Sequence, residues 1–351
     1  MQVIERMTEE AIDEEINKIK KQMKGGLFIP VHHYQRDEIV QFADFVGDSL
    51  ELSRVSAQTE SRYVVFCGVY FMAEIARILV PGDKTVCVPD LSAGCPLADL
   101  ASTPEVESVW NKLQKINPGV YVPVVYANSH ASLKAFCGRN NGLVCTSSNV
   151  QTIFEYILKT GKKVFFMPDR NLGINTARAM GLEDRSIIVD HYNTDNITDV
   201  TLKDKEIVVW NGYCVVHLAF NVSQVEYWRK KMPDAKVIVH PECEPEVVMA
   251  SDYSGSTSRI KKMIENSSSG SKWVIGTEYN MVQRLAKTHP DKVIVPLEKS
   301  VCANMSKNNR QKLLKVLRSL GNEKPLNTID VDEDTSRYAK LAIQRMLELS
   351  K

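Results

Sequence analysis

The chain has 351 residues, more than a single core of roughly 250 to 300 residues accommodates, so two or three domains are expected. Hydrophobic residues at 44% against charged residues at 25% exclude disorder as the main state, and Lys+Arg 44 against Asp+Glu 43 leaves no basic excess for a nucleic-acid partner. Eight cysteines, none spaced C-x-x-C, are too sparse for a disulfide-stapled secreted scaffold.

In chain order, Met1 to Met23 is charged throughout and carries no export signal. Thr8 with Glu9 and Glu10 reads as a helix start, Ile12, Ile16 and Ile19 recur at helical spacing, and Gly25 and Gly26 end the helix. Short apolar runs then alternate with helical segments. Leu27 to Val31, Tyr63 to Cys67, Thr85 to Val88, Val120 to Val125, Val164 to Met167, Glu206 to Trp210, Val237 to Val239, Trp273 to Ile275 and Val293 to Val295 read as buried strands. That alternation specifies parallel sheets flanked by helices, with ligands beyond the strand carboxyl ends. A last amphipathic helix runs from about Thr335 to Leu349, with Tyr338, Leu341, Ala342 and Met346 on one side. The apolar stretches, such as Val64 to Val69, fall far short of the about 20 residues of a membrane span, so no membrane partner and a reducing, cytoplasmic compartment are expected.

The strand ends repeat. A strand followed by polar residues recurs as Val31-His32-His33-Tyr34, Val125-Tyr126-Ala127-Asn128 and Val239-His240-Pro241-Glu242. A helix-opening hydroxyl follows at Ser49, at Ser147 and at Ser256-Thr257, and each series closes on a cysteine after a strand: Cys95, Cys214 and Cys302. His32 to Ser49 and His240 to Thr257 both span 17 residues, and the middle series is lengthened by an Asn- and Asp-rich insert near Glu183 to Lys205. The chain therefore reads as three homologous α/β/α sandwich domains with parallel sheets around a pseudo-threefold axis. Their expected bounds are 1-117, 118-232 with the insert near 183-205, and 233-332, with the C-terminal helix 333-351 packing on the first.

One cysteine per unit at equivalent strand ends suits a soft metal centre, either zinc or an iron–sulfur cube with one open iron. The plainer alternative is burial as small apolar residues, the reading that fits Cys67 and Cys87, which lie inside strands. Ser49, Ser147 and Ser256 or Thr257 are either ordinary caps or hydroxyls at anion-binding helix ends, which three matching positions favour. His32, His33, Tyr34, Tyr126, Asn128, His240 and Glu242 can donate, accept and orient protons. His217, three residues after Cys214, is either a neighbour of the metal centre or part of the packing. Neither G-x-G-x-x-G nor G-x-x-x-x-G-K-[ST] occurs, which argues against nicotinamide and nucleotide chemistry.

The ordered strings His32-His33-Tyr34-Gln35, Asp44 to Ser49, Ser92-Ala93-Gly94-Cys95-Pro96, Cys145-Thr146-Ser147, Pro168 to Gly173, Gly212-Tyr213-Cys214, His240-Pro241-Glu242-Cys243, Gly255-Ser256-Thr257, Gly276-Thr277-Glu278 and Cys302-Ala303-Asn304-Met305 resemble quinolinate synthases. The resemblance runs from about His32 to Met305. It implies a 4Fe-4S cluster held by Cys95, Cys214 and Cys302, with an open iron acting as Lewis acid. The implied reaction condenses iminoaspartate with dihydroxyacetone phosphate to quinolinate, phosphate and water for NAD biosynthesis, with an aspartate-oxidising enzyme as a transient partner. It also implies substrate contacts at His32, Ser49, Tyr126, Ala127, Asn128, Ser147, His240, Pro241, Glu242, Ser256 and Thr257, with Tyr34 and Glu242 in proton transfer and His32 or His240 orienting carboxylates. Two departures stand out. His33 replaces the Asn expected between His and Tyr, and no C-x-x-C-x-x-C run surrounds Cys302. An iron–sulfur hydro-lyase acting on a small hydroxy diacid, or a cluster-based sensor or anion-binding protein, would share the cysteines and helix ends.

Overall fold

Strands buried on both faces read as continuous apolar runs, and among the described residues the named strands pair in parallel, the one antiparallel contact being an isolated bridge from Cys87 to Thr328. The computed structural model describes residues 4–190, 192–322 and 325–350. It divides into two compact units, one formed by the chain up to Cys95 with Val301–Asp332, the other by Pro96–Ser300 with the chain from Glu333 onward.

In the first unit, Leu27–Phe28, Tyr63–Val65 and Thr85–Cys87 form one sheet in that order, and Pro30–His32 pairs with Phe45–Gly47. The expected strand from Leu27 is interrupted at Ile29, whose N–H turns to the Asp44 carboxylate at 2.8 Å, and a Val31–Cys67 bridge rejoins the two ladders. The N-terminal helix Glu9–Gln22 starts at Thr8, which accepts from Ala11 N–H, and ends before Gly25 at φ +82°. Its Ile12 and Ile16 are fully buried in a cluster with Ile29, Val31, Leu313, Leu314 and Leu317, which ties the helix Arg310–Ser319 to the sheet.

The second unit holds two sheets. One is ordered Leu143–Cys145, Tyr121–Tyr126, Lys163–Met167, Ile207–Trp210, Ser186–Val189; the other is ordered Tyr253–Ser254, Lys236–Val239, Lys272–Gly276, Val293–Pro296. Each of the nine expected strands is present, with ends shifted by a residue or two. The insert supplies the extra edge strand Ser186–Val189 and the short helix Asp199–Leu202.

The C-terminal helix, Glu333–Leu349, departs from expectation. It packs against the helix Ala131–Arg139 and the strand Leu143–Cys145 of the second unit, not on the first unit. Its buried stripe is Ala339, Ala342, Ile343 and Met346, whereas Leu341 is 40% exposed. Gly138 accounts for the docking, because a Cβ there would collide with the Tyr338 carbonyl. Asn149 Nδ2 donates to Ser350 Oγ at 2.7 Å and Arg345 to Gly142 O at 2.8 Å, fixing the helix end. Among the described residues no helix is long and apolar enough to cross a membrane.

Candidate active site

Two histidines stand at equivalent strand ends and make the same local turn. In the first unit, His32 follows its strand with its N–H bonded to Cys67 O, Tyr34 N–H donates to His32 Nδ1 at 3.1 Å, and Gln35 N–H returns to His32 O. In the second unit, His240 N–H bonds Gly276 O, Glu242 N–H donates to His240 Nδ1 at 3.3 Å, and Cys243 N–H returns to His240 O. Because Nδ1 accepts in both, the neutral rings carry their proton on Nε2 and present it as a donor. The turn sets the residue two positions on, Tyr34 in one case and Glu242 in the other, beside the imidazole. The rings of His32 and Tyr34 meet edge to face at 4.8 Å.

The helix ends behave differently from one another. Ser49 is the first residue of Ser49–Gln58, and the cap is Asp48, whose Oδ1 accepts from Leu50 and Glu51 N–H while Glu51 accepts from Asp48 N–H. A resident carboxylate already occupies those backbone donors. His33, buried, turns Nε2 toward the same Glu51 at 3.8 Å, which is where the departure from Asn leads. Ser147 lies ahead of its helix, which begins only at Val150; the intervening turn is closed by Thr146 N–H donating to Asn149 Oδ1 at 2.6 Å. Ser256 is a true cap, accepting from Arg259 N–H, and its hydroxyl also accepts from Ser148 Oγ at 2.8 Å. Thr257 opens that helix and is buried.

The densest chemistry in the second unit surrounds Glu242. His217 Nδ1 lies 2.7 Å and His240 Nδ1 3.7 Å from Glu242 Oε2, with the two imidazoles stacked at 4.4 Å and all three side chains at most 4% exposed. Burial alone would raise the Glu242 pKa; His240, His217 and hydrogen bonds from His217 and Tyr126 outweigh it and hold the carboxyl at about 2. Burial, reinforced by the neighbouring His217, drives His240 down to about 3, so its ring is neutral at pH 7. His217 Nε2 meets Thr277 Oγ1 at 3.2 Å, and Cys214, His217 and Glu242 bring ligand-capable atoms within 4.8 Å of one another.

The helix Arg170–Ala179 holds this loop in place. Asn171 Nδ2 donates to Glu242 O at 3.1 Å, Asn175 Nδ2 to Pro241 O and Cys243 O at 2.9 Å each, and Arg170 pairs with Glu244 at 2.8 Å. The approach to Cys214 is set by Gly212, which exchanges backbone bonds with Pro168 O and Arg170 N; any Cβ there would strike the Pro168 carbonyl. Asn171 and Asn175 were not singled out individually from the sequence, since an Asn on a helix announces no partner 66 to 71 residues away. The signal available was their neighbourhood, Pro168 to Gly173 after a strand end.

Three buried polar atoms at strand ends of this unit have no hydrogen-bond partner among the described residues: Asn128 Oδ1, Asp169 Oδ2 and Glu242 Oε1. Such atoms are costly unless a ligand or water satisfies them. Burial, reinforced by Glu242, also pushes the Asp169 carboxyl well up. The cysteines separate into two sets. Cys67, Cys87, Cys137, Cys145 and Cys243 are buried with pKa values raised by desolvation, to about 11 for Cys87, whereas Cys95, Cys214 and Cys302 are half-buried. Metal ligation needs access and a thiol that can lose its proton, both of which burial denies to the first set. Cys95 and Cys302 belong to the first unit and Cys214 to the second.

Parallel sheets with a buried acid–imidazole cluster beyond their carboxyl ends define an α/β enzyme. Residues 14–348 match a family model described as quinolinate synthetase A protein. A quinolinate synthase of Bacillus cereus (strain Q1) is 44% identical over 346 residues, covering 97% of this chain and 94% of its own. A second, from strain G9842, is 43% identical over 347 residues, covering 98% and 94%. A third, from Bacillus anthracis (strain CDC 684 / NRRL 3495), is 43% identical over 346 residues, covering 97% and 94%. The chain belongs to the quinolinate synthetase A family, and is an enzyme of the quinolinate synthase type in NAD biosynthesis.

Proposed function

We propose that this enzyme condenses iminoaspartate with dihydroxyacetone phosphate, releasing phosphate and water, at a site served by a 4Fe-4S cluster with Cys95, Cys214 and Cys302 as its ligands. The observation that carries the reading is a set of three buried oxygens, Asn128 Oδ1, Asp169 Oδ2 and Glu242 Oε1, that accept no hydrogen bond among the described residues and lie beyond the strand ends where a polar substrate belongs. The half-buried thiols supply the donor chemistry for the cluster, and the five desolvated ones do not. When bound, a cluster with three cysteine ligands supplies an open iron as Lewis acid.

The chain's own residues bind, orient and move protons. The Nε2–H groups of His32 and His240 donate to substrate carboxylates, held in that tautomer by the backbone N–H on Nδ1. Ser49, Ser147, Ser256 and Thr257 supply hydroxyls for the two carboxylates and the phosphate, with Tyr126, Ala127, Asn128 and Pro241 completing the walls. A carboxylate held near a pKa of 2 is a weak base by itself, so Glu242 works with the imidazole of His217, whose Nδ1 lies 2.7 Å from Oε2, as an acid–imidazole pair. Tyr34 exchanges a proton with the triose and its hydroxyl leaving groups, beside His32.

The same strand order, second, first, third, fourth, recurs in each sheet system once Leu27–Phe28 and Pro30–His32 are taken as one strand and the insert's edge strand Ser186–Val189 is set aside, and this supports three homologous units near 1-117, 118-232 and 233-332. The reducing cytoplasm is the fitting compartment for open thiolates, and an aspartate-oxidising enzyme the source of the unstable imine. The test is anaerobic purification, iron and sulfide counting, and a quinolinate assay from the two substrates. About four iron with quinolinate formed supports the reading. A full cluster with no quinolinate ends the synthase assignment, and turnover without iron ends the cluster's part in it.

A further inference from the structure

Cys214 Sγ, a ring nitrogen of His217 and a carboxylate oxygen of Glu242 form a compact donor set of three different elements, drawn from two loops of one unit and lying within 4.8 Å of one another. A zinc ion takes thiolate sulfur at about 2.3 Å and imidazole nitrogen or carboxylate oxygen at about 2.0 to 2.2 Å, which sets tetrahedral donors roughly 3.3 to 3.8 Å apart. The three atoms are therefore within about 1 Å of that array. Two further features are those of a built site. His217 Nε2 is steadied by Thr277 Oγ1 at 3.2 Å while Nδ1 faces Glu242, the arrangement in which an outer partner fixes a ligating imidazole. Glu242 Oε1 is buried and accepts no hydrogen bond among the described residues. Mixed sulfur, nitrogen and oxygen donors select a borderline divalent cation over magnesium or calcium, which want oxygen alone.

We propose that in the chain lacking its cluster, Cys214, His217 and Glu242 bind one Zn2+-class cation, leaving the fourth position to water. Occupancy takes Glu242 out of proton transfer. Resting on the reading of Cys214 as a cluster ligand, it also blocks cluster assembly, so zinc and iron–sulfur loading are mutually exclusive.

The experiment uses the full chain carrying Cys95→Ala and Cys302→Ala, which cannot hold the cluster. Anaerobic Co2+ titration is expected to give about one Co2+ per chain with a near-ultraviolet thiolate charge-transfer band and intense visible tetrahedral bands, bleached by Zn2+. In that background Cys214→Ser is expected to abolish the charge-transfer band, and His217→Ala and Glu242→Gln to weaken binding more than about tenfold, with circular dichroism confirming the fold. Thr277→Val, which leaves all three ligands, is expected to weaken binding several-fold. A weak octahedral spectrum, or affinity indifferent to His217→Ala in a folded chain, overturns the site. For the parent chain, Zn2+ added before reconstitution is expected to lower iron uptake, and Zn2+ added afterwards to leave it unchanged; unaltered uptake in the first arm overturns the competition. Iron bound by the parent chain reports on the cluster assignment separately, so the two readings fail on different measurements.

Discussion

Tyr34 and Glu242 occupy equivalent places after His32 and His240, yet the environments differ: Glu242 is buried in a cluster of imidazoles, whereas Tyr34 is half-buried beside a single one. A phenol with an ordinary pKa of about 10 donates a proton better than it accepts one at pH 7, which fits a role at leaving hydroxyls. Tyr34→Phe keeps the ring packing and removes only the hydroxyl. It is expected to abolish quinolinate formation while the iron content stays that of the parent, and unchanged turnover would remove Tyr34 from the reaction. Asn175 acts on the site through Glu242's loop. Its Nδ2 serves two carbonyls, and Asn175→Ala strands both at a cost of about 1 to 3 kcal/mol each. We expect kcat to fall about 10- to 100-fold with little change in iron content, since a loop displaced by about 1 Å misaligns the carboxylate. At this scale the sequence made the strand-end residues visible because parallel sheets put chemistry there. It hid Asn171, Asn175 and the pairing of His217 with Glu242, which depend on contacts between distant segments.

Among the elements, the long buried strands were legible because each is a continuous apolar run, such as Val164 to Met167 or Ile207 to Trp210. The strands Phe45–Gly47, Leu143–Cys145 and Tyr253–Ser254 were not, being only two or three residues long, too short to show a period. The edge strand Ser186–Val189 escaped because it is half exposed inside a polar insert. The C-terminal helix was recognisable by its spacing, but its phase was not: Leu341 is more apolar than Ala339, yet small residues face Ala131–Arg139 because close approach at Gly138 decides the docking. Gly138→Ala is accordingly expected to lower stability by about 1 to 3 kcal/mol and to free the C-terminal helix for limited proteolysis. A pH-dependent contribution joins the helices Glu9–Gln22 and Arg310–Ser319. Arg318 grips Glu15 through two contacts of 2.6 Å, and that hydrogen bonding, ahead of the opposing burial, lowers the Glu15 pKa below its usual value of 4.5. A depressed carboxyl pKa means stability fully present above about pH 4.5 and lost as the pH falls through the lowered value. Glu15→Gln should therefore reduce stability modestly, by up to about 1 kcal/mol, at pH 7 and low salt, with no difference from the parent at pH 2. Denaturant unfolding at both pH values checks the sign; an equal loss at pH 2 would mean packing and not charge is responsible.

For the whole molecule, the sparse cysteines were the most informative residues, and the reason is chemical. Cys95, Cys214 and Cys302 each follow a strand in the sequence and are half-buried, and the fold buries the other five among apolar side chains. Desolvation holds those five as neutral thiols, and native packing also denies them reagent. The chain should therefore show two alkylation classes that do not follow sequence neighbourhood: Cys137 and Cys145 sit near the Tyr126 to Asn128 strand end and Cys243 adjoins Glu242, yet all three belong to the unreactive set. In the folded, iron-free protein, a brief pulse of iodoacetamide at pH 8 is expected to label Cys95, Cys214 and Cys302 at least about tenfold faster than the rest, as read by peptide mass spectrometry. After cluster reconstitution under anaerobic conditions those three are expected to become protected together. Protection of only one or two would mean that Cys95, Cys214 and Cys302 are not ligands of one cluster, and labelling of Cys243 at the fast rate would contradict the burial of Glu242's loop.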